Sequence, residues 1–325
     1  MKAIVNTAPD CLEIREMPLP HPGAGQVRIK TAACAICTTD LEMIAGWERT
    51  GFPAIPGHEW SGVVDATGPN VDKALVGRKC VAENVLSDGG EVGFEHPGGY
   101  AEYFLTQFEK IHVLPDNFSM TVASLIEPLA VTVRAIRRFG GDPHEPVLIF
   151  GDGPIGLLLL LLLNKRRKKH IIVVGGRDKR LDLAADFGAT ETLNYHNIKA
   201  DLAEAIQNHG YQAFSTIVDA SGTVDGVNAA LKLIEPCGKI LLVGDYGQNR
   251  GDFAWNYLVQ REIELIGSNA SKSAWPEAVQ LAVEGNLPLG QLISHRYPVS
   301  KYNDGIELVR RRDKNVVKIV LQWEE

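Results

Sequence analysis

The chain is poor in cysteine, with five in 325 residues, at positions 11, 34, 37, 80 and 237. So sparse and odd a set excludes the disulfide framework of small secreted domains and points to a reducing compartment, the cytoplasm. Excess positive charge is also missing. Against 33 lysines and arginines stand 40 acidic residues, a formal charge of −7, which argues against nucleic acid or an anionic membrane as the main partner. No apolar run is long enough for a membrane span. The strongest, the leucines of GLLLLLLLN, is closed by Asn164 and the basic KRRKK, far short of the roughly 20 residues a span requires, and reads as a helix buried against a sheet. The first residues, MKAIVNTAPDCLEIREMPLP, begin like a strand and carry charge where a signal peptide needs an apolar core. Repeats, low-complexity linkers and disordered charge runs are absent as well.

What is present suits two soluble domains of ordinary size: 45% hydrophobic residues, 22% charged residues and 32 glycines for turns. Up to about residue 120 the chain reads as β-rich, with short runs such as KAIVN, CLEIREM, QVRIKTAA, SGVVDATG, KCVAENV and AEYFLT divided by Gly, Pro and Asp. No helical period of useful length precedes Thr121. From there the apolar spacing turns helical, and strands (PVLIFG, HIIVVGG, TIVDASG, KILLVGDYG, ELIGSNAS) alternate with helices (PIGLLLLLLLNK, KRLDLAADFGA, VNAALKLI). Such alternation predicts an α/β doubly wound parallel sheet. Two helical stretches, WPEAVQLAVEG and SKYNDGIELVRRR, and a closing strand, VVKIVLQW, belong to no further βα unit. The expected division is therefore 1–121 with 272–325 as one domain and 122–271 as the other.

FGDGPIG sets Gly151, Gly153 and Gly156 as G-x-G-x-x-G at a strand–helix junction, with Pro154 and Ile155 opening the helix. The first glycine permits the tight turn, the second lets backbone approach a pyrophosphate, and the third lets helix and strand pack closely. Phosphate oxygens would meet the helix N-terminus. A dinucleotide with a free ribose 2′-hydroxyl is usually held by a carboxylate about 20 residues further on. Nineteen residues after Gly156 the strand ends in VVGGRDKR, at Gly175. No carboxylate there repels a 2′-phosphate, Gly176 leaves room, and Arg177 offers a fork of donors, with Lys179 or Arg180 as added charge. NADP is favoured over NAD. The competing contact, Asp178, lies past the strand end and suits a helix cap better.

CAICTTD holds Cys34 and Cys37 in a C-x-x-C pair that could be a redox disulfide, half of a zinc knot, or one metal ligand beside a bystander. Residues 57 to 62, GHEWSG, put His58 and Glu59 together, and IEPLAVTVRAI sets Glu127 before a proline in an apolar stretch. A buried carboxylate needs a partner. A thiolate, an imidazole and one or two carboxylates make a tetrahedral zinc set with one position open for substrate. Taken singly, each has a structural role as its commoner explanation.

The order of the pieces, C-x-T-D, GHE, a β-rich region, EP and a Rossmann unit opening on G-x-G-x-x-G, resembles the zinc-dependent medium-chain dehydrogenase family, in its polyol branch of sorbitol, threonine, sugar and cyclitol dehydrogenases. The resemblance runs from KAIV through SGVV, GGYAEYF, DASG and ISHRYPV to VVKIVL. It implies a GroES-like catalytic domain and a Rossmann domain. It makes Cys37 and His58 catalytic zinc ligands, Glu59 a ligand or a water-linked near-ligand, and Glu127 the carboxylate in place of a second cysteine. Thr39 would hydrogen-bond the substrate oxygen and Asp40 would orient His58. Ser221, Gly244, Ser268 and Asn269 would line the cofactor, and Lys318 would lie near its pyrophosphate. Two departures stand out. The stretch CVAENVLSDGGEVGFEHPGGYAEY contains only Cys80, so the four-cysteine lobe of a second, structural zinc should be missing, leaving one zinc per chain. Glu42 stands where many relatives carry a proton-relaying histidine.

The implied chemistry is hydride transfer between NADP(H) and a secondary alcohol or ketone of a polyol, sugar or cyclitol, with zinc as Lewis acid and Thr39 moving the proton. Trp47 is either a wall of the pocket or a packed loop aromatic. A simple secondary-alcohol or threonine dehydrogenase, a zinc-free quinone-reductase-like enzyme and a non-catalytic NADP-binding sensor are the other readings; the intact Cys37, His58 and Glu127 set speaks against the last two. A small-molecule substrate is the expected partner. A homodimer or homotetramer is expected, with KILLVG and REIELIG as the pairing edge.

Overall fold

The computed structural model describes all residues except 48, 50, 141–144, 168, 169, 254, 324 and 325. Contacts divide it into one unit of Met1–Ala130 with Lys272–Glu325 and a second of Val131–Ser271. The junction lies nine residues beyond the expected one, so Glu127, at the start of the helix Ile126–Arg138, falls in the same unit as Cys37 and His58.

The first unit is built on a seven-stranded sheet centred on Gln26–Ala35, which pairs antiparallel with Glu59–Thr67, Tyr103–Gln107 and Lys318–Gln322. The strand Ile293–Pro298 runs parallel to Lys318–Gln322, so the C-terminal segment completes the sheet begun by the N-terminal one. Alternate side chains of Gln26–Ala35 are buried, the pattern of a half-covered antiparallel strand, and the run from Ala33 to Ile36 is buried throughout. A short helix, Thr38–Ile44, follows immediately. Seven residues are too few to show a helical period, which is why the sequence reads as helix-free before Thr121.

The second unit is a six-stranded parallel sheet. Its order is Glu191–Asn194, Ile171–Gly175, Val147–Phe150, Phe214–Asp219, Ile234–Leu242, Glu264–Gly267, or 3-2-1-4-5-6 in chain order. The order reverses between the first and fourth strands, and both end beside the glycine-rich turn, where open α/β sheets bind ligands. Val147–Phe150 and Ile171–Gly175 are buried at every position, as strands covered on both faces must be. The helix Pro154–Lys165 buries all seven leucines, so the alarming run is core. Among the described residues no helix is long and apolar enough to cross a membrane.

Among the described residues of this unit, one strand and two α-helices went unread in the sequence: Glu191–Asn194, Leu202–Asn208 and Trp255–Arg261. Each is four to seven residues long, and in the strand only Leu193 is buried. The proposed pairing edge is corrected in one half. The first four residues of KILLVG, Lys239–Leu242, end the strand Ile234–Leu242 and are paired on both sides, and Glu264–Gly267 forms that edge of the sheet.

Candidate active site

Cys37 caps the short helix. Its backbone N–H donates to Asp40 Oδ2 at 2.9 Å, so the carboxylate sits in the first turn, where the helix dipole favours it. The other oxygen, Oδ1, lies 3.0 Å from His58 Nδ1. Asp40 is fully buried, and an ionised carboxylate only accepts, so Nδ1 carries a proton and Nε2 is the nitrogen left to take either a second proton or a metal ion. Asn84 fixes His58 from the backbone side, its Nδ2 donating to the His58 carbonyl at 2.8 Å while Oδ1 accepts from Trp60 Nε1 at 3.0 Å.

Glu59, the first residue of the next strand, is 1% exposed. Its Oε1 accepts from Lys318 Nζ at 2.6 Å, and its Oε2 has no hydrogen-bond partner. Ligand atoms of Cys37, His58 and Glu59 all lie within 4.8 Å of one another. Burial acts to lower the His58 pKa, yet the charges and hydrogen bonds of Asp40 and Cys37 outweigh it and hold it well above the ordinary value. The site attracts positive charge. Burial pushes Glu127 up to about 7, with Glu59 adding to the rise and His58 and Lys318 opposing it. Glu127 is electrostatically close, although the compact trio does not include it. A soft thiolate, a neutral imidazole nitrogen and an orphaned carboxylate oxygen within one ion's reach fit zinc. Cys37 Sγ donates to Thr39 Oγ1 at 3.6 Å, and Thr39 and Glu42, three apart on the helix, share a face.

Backbone rather than side chains makes the second site. Gly151 has φ +112°, and a Cβ there would meet Ala220 at 2.7 Å; a Cβ on Gly156 would lie 2.1 Å from the Gly151 oxygen. Gly153, the residue before Pro154, meets only Arg180 Nη1, at 4.0 Å. Its open face is where a pyrophosphate can approach the helix start, so the cradle fits a dinucleotide. Ser221 Oγ donates to Asp219 Oδ1 at 2.6 Å, and Gly244 N donates to the Asp219 carbonyl at 3.0 Å, closing the neighbouring loops over the strand ends. The Ser268 hydroxyl is buried without a partner, and the Asn269 carbonyl accepts from Arg134.

Residues 23–116 match the alcohol dehydrogenase GroES-like domain, and 154–284 the zinc-binding dehydrogenase domain. D-arabitol-phosphate dehydrogenase from Enterococcus avium is 31% identical, with 99% of this chain and 97% of that protein aligned. The chain belongs to the zinc-type medium-chain dehydrogenase family. Its structure superimposes on the NADH complex of an Escherichia coli CFT073 alcohol dehydrogenase (rspB) with a TM-score of 0.91 at 26% identity, covering 99% of both chains. Galactitol-1-phosphate dehydrogenase from Escherichia coli gives 0.88 at 25%, covering 99% of this chain and all of that one.

The structure shows what surrounds three of the positions expected near the cofactor. Lys318 was expected near the cofactor pyrophosphate; it is 5% exposed, with its ammonium on Glu59, because a cation buried that deeply needs a carboxylate. Gly175 was read as a strand end without a repelling carboxylate, and Gly176 as room for a 2′-phosphate. A Cβ on Gly175 would meet the Asp152 side chain at 2.5 Å, and one on Gly176 the Tyr195 hydroxyl at 2.5 Å, so a carboxylate does stand beside Gly175, supplied by Asp152.

Sequence reasoning missed the lobe that replaces the four-cysteine insert. The guanidinium of Arg49 pairs with both Glu95 oxygens, from Nε at 2.9 Å and Nη2 at 2.9 Å, and with Glu91 at 3.1 Å. It lies over the rings of Trp47 (5.4 Å) and Phe94 (5.0 Å), and Phe94 in turn lies 4.9 Å from the His58 ring. Trp47 thus belongs to a stack that reaches His58. The one available signal was Glu91-x-x-x-Glu95 in a stretch without cysteine. Cys34 is fully buried and free, and a Cβ on Gly57 or Gly99 would strike its sulfur at 2.9 or 2.8 Å.

Proposed function

We propose that this protein is an NADP-preferring dehydrogenase that oxidises a secondary hydroxyl of a polyol, sugar or cyclitol, or reduces the matching ketone. The observation that carries the reading is the orphaned Glu59 Oε2 beside Cys37 and His58 within 4.8 Å. Cys37 and His58 would hold one zinc ion, with Glu59 as third ligand or near-ligand and Glu127 completing the set. Zinc held there would supply Lewis-acid polarisation of the hydroxyl, and a bound nicotinamide would supply the hydride acceptor. Asp40 keeps His58 in the ligating tautomer. Lys318 holds Glu59 in place through the 2.6 Å hydrogen bond to Oε1. Thr39 takes the substrate proton outward, with Glu42 on the same helix face as the next group toward solvent.

On the cofactor side, Gly151, Gly153, Pro154, Ile155 and Gly156 cradle the pyrophosphate. Arg177 and Arg180 receive the 2′-phosphate, and Ser221, Gly244 and Ser268 bound the nicotinamide half. Polyols are favoured because named relatives act on arabitol phosphate and galactitol 1-phosphate, and a further relative, from Halalkalibacterium halodurans, is a sorbitol dehydrogenase. Five free cysteines suit a cytoplasmic setting, and the exposed edge Glu264–Gly267 suits pairing of two chains.

The test is a screen of polyols, their phosphates, inositols and aminocyclitols with NADP and NAD, followed by absorbance of the reduced cofactor. Turnover of at least one polyol or cyclitol, faster with NADP, is expected. Turnover confined to simple alcohols, or better with NAD, would sink the substrate or cofactor half respectively.

A further inference from the structure

Asp152, the second residue of G-x-G-x-x-G, is a charged side chain where the motif demands nothing in particular. Its side chain is only 6% exposed, yet its charge is fully accounted for. Oδ2 accepts from the backbone N–H of Gly176 at 2.9 Å and of Arg177 at 2.8 Å. Oδ1 lies 3.5 Å from Arg177 Nη1 and 3.7 Å from Arg180 Nη1. Its Cβ fills the space a side chain on Gly175 would need. The family fingerprint places a carboxylate on the strand end at residue 175, where it meets a ribose hydroxyl. Here a carboxylate reaches the same place from the glycine-rich turn, but lies beneath two arginines.

Burial decides what such a carboxylate can do. At 6% exposure it is not displayed to a ribose hydroxyl, whereas Arg177, at 27%, is the outermost of the three side chains. Two guanidinium groups so close repel one another. Burial, and then the neighbouring Arg177, lower the Arg180 pKa to about 10, with Asp152 opposing the fall. Without the carboxylate between them the two arginines would separate, and the strand end would lose the acceptor for two N–H groups. With it, the group keeps one surplus positive charge held in a fixed place.

From this geometry we infer that Asp152 is a positioning residue for recognition of the cofactor 2′-phosphate, acting through Arg177 and Arg180. The inference rests on the NADP reading above. It predicts a sign opposite to simple electrostatics: removing a negative charge beside a phosphate site should weaken phosphate binding.

The experiment compares wild type, Asp152→Asn, Arg177→Ala and the double variant. Calorimetric binding of 2′,5′-ADP and 5′-AMP is measured alongside fluorescence titration with NADPH and NADH, and thermal unfolding checks that each variant is folded. Asp152→Asn should lower the NADPH-to-NADH affinity ratio roughly tenfold, the scale of a lost charge-assisted hydrogen bond. Placed on Arg177→Ala it should change that ratio much less, because the two act as one unit. A ratio that rises in Asp152→Asn, or falls equally in the Arg177→Ala background, overturns the inference while leaving the NADP reading intact. A wild-type protein that binds 2′,5′-ADP no better than 5′-AMP overturns both.

Discussion

The two halves of the proposed chemistry are built from opposite materials. The zinc site is an assembly of side chains: Cys37, His58 and Glu59 converge from a helix cap and a strand start, steadied by Asp40, Asn84 and Lys318. The dinucleotide cradle is an assembly of missing side chains, where a single Cβ on Gly151 or Gly156 would strike backbone. A side-chain site degrades in steps, since removing a supporting residue loosens a ligand. A backbone site fails abruptly, because nothing can yield.

Breaking this contrast begins with the ligands. Cys37→Ala should cut turnover by about three orders of magnitude or more, since it removes the charged soft donor of a catalytic metal. Cys34→Ala should retain activity and lose about 1–2 kcal/mol of stability from a small cavity; steady-state kinetics and urea unfolding check the pair, and equal loss of activity in both would revive the two-cysteine motif. Next comes the cradle. Gly156→Ala should abolish measurable NADPH binding in a fluorescence titration, while near-normal affinity would show that the helix start can shift.

Asp40→Asn comes third. It keeps the shape but removes the charge that holds the His58 tautomer, and should weaken zinc retention about 10–100-fold in a chelator competition. The smallest effect belongs to Arg49→Ala, which unclasps Glu91 and Glu95 and should lower the melting temperature by a few degrees, a shift on the order of 1 kcal/mol. Burial acts to raise the Glu95 pKa, but Arg49 and the Glu91 amide outweigh it and the net shift is downward. A carboxyl held low contributes stability above its unfolded pKa and loses it as pH falls through the folded value. The wild-type advantage over Arg49→Ala should therefore shrink in acid, and thermal melts across pH would show it.

What the sequence revealed follows the same division. The glycine turn and its flanking strand and helix were legible because backbone geometry there demands particular residues, and that GHE and C-x-T-D belong together was legible from the order of the motifs; the structure brings Cys37, His58 and Glu59 within 4.8 Å. The partner of Lys318 was not legible because strand alternation says which face a residue takes, not which buried carboxylate it meets. That Asp152 and Tyr195 crowd Gly175 and Gly176 was not legible, because they come from 23 and 19 residues away in sequence. The Arg49 clasp was invisible for the same reason: 42 and 46 residues separate it from Glu91 and Glu95.

The central claim is that Cys37 and His58, with Glu59, hold a single zinc ion, and that no second metal stabilises the Arg49 lobe. Elemental analysis of the freshly purified protein beside its Cys37→Ala and Cys34→Ala variants tests it most directly. About one zinc per chain is expected in the wild type and in Cys34→Ala, and almost none in Cys37→Ala. Two zinc ions per wild-type chain, none, or full retention in Cys37→Ala would contradict it.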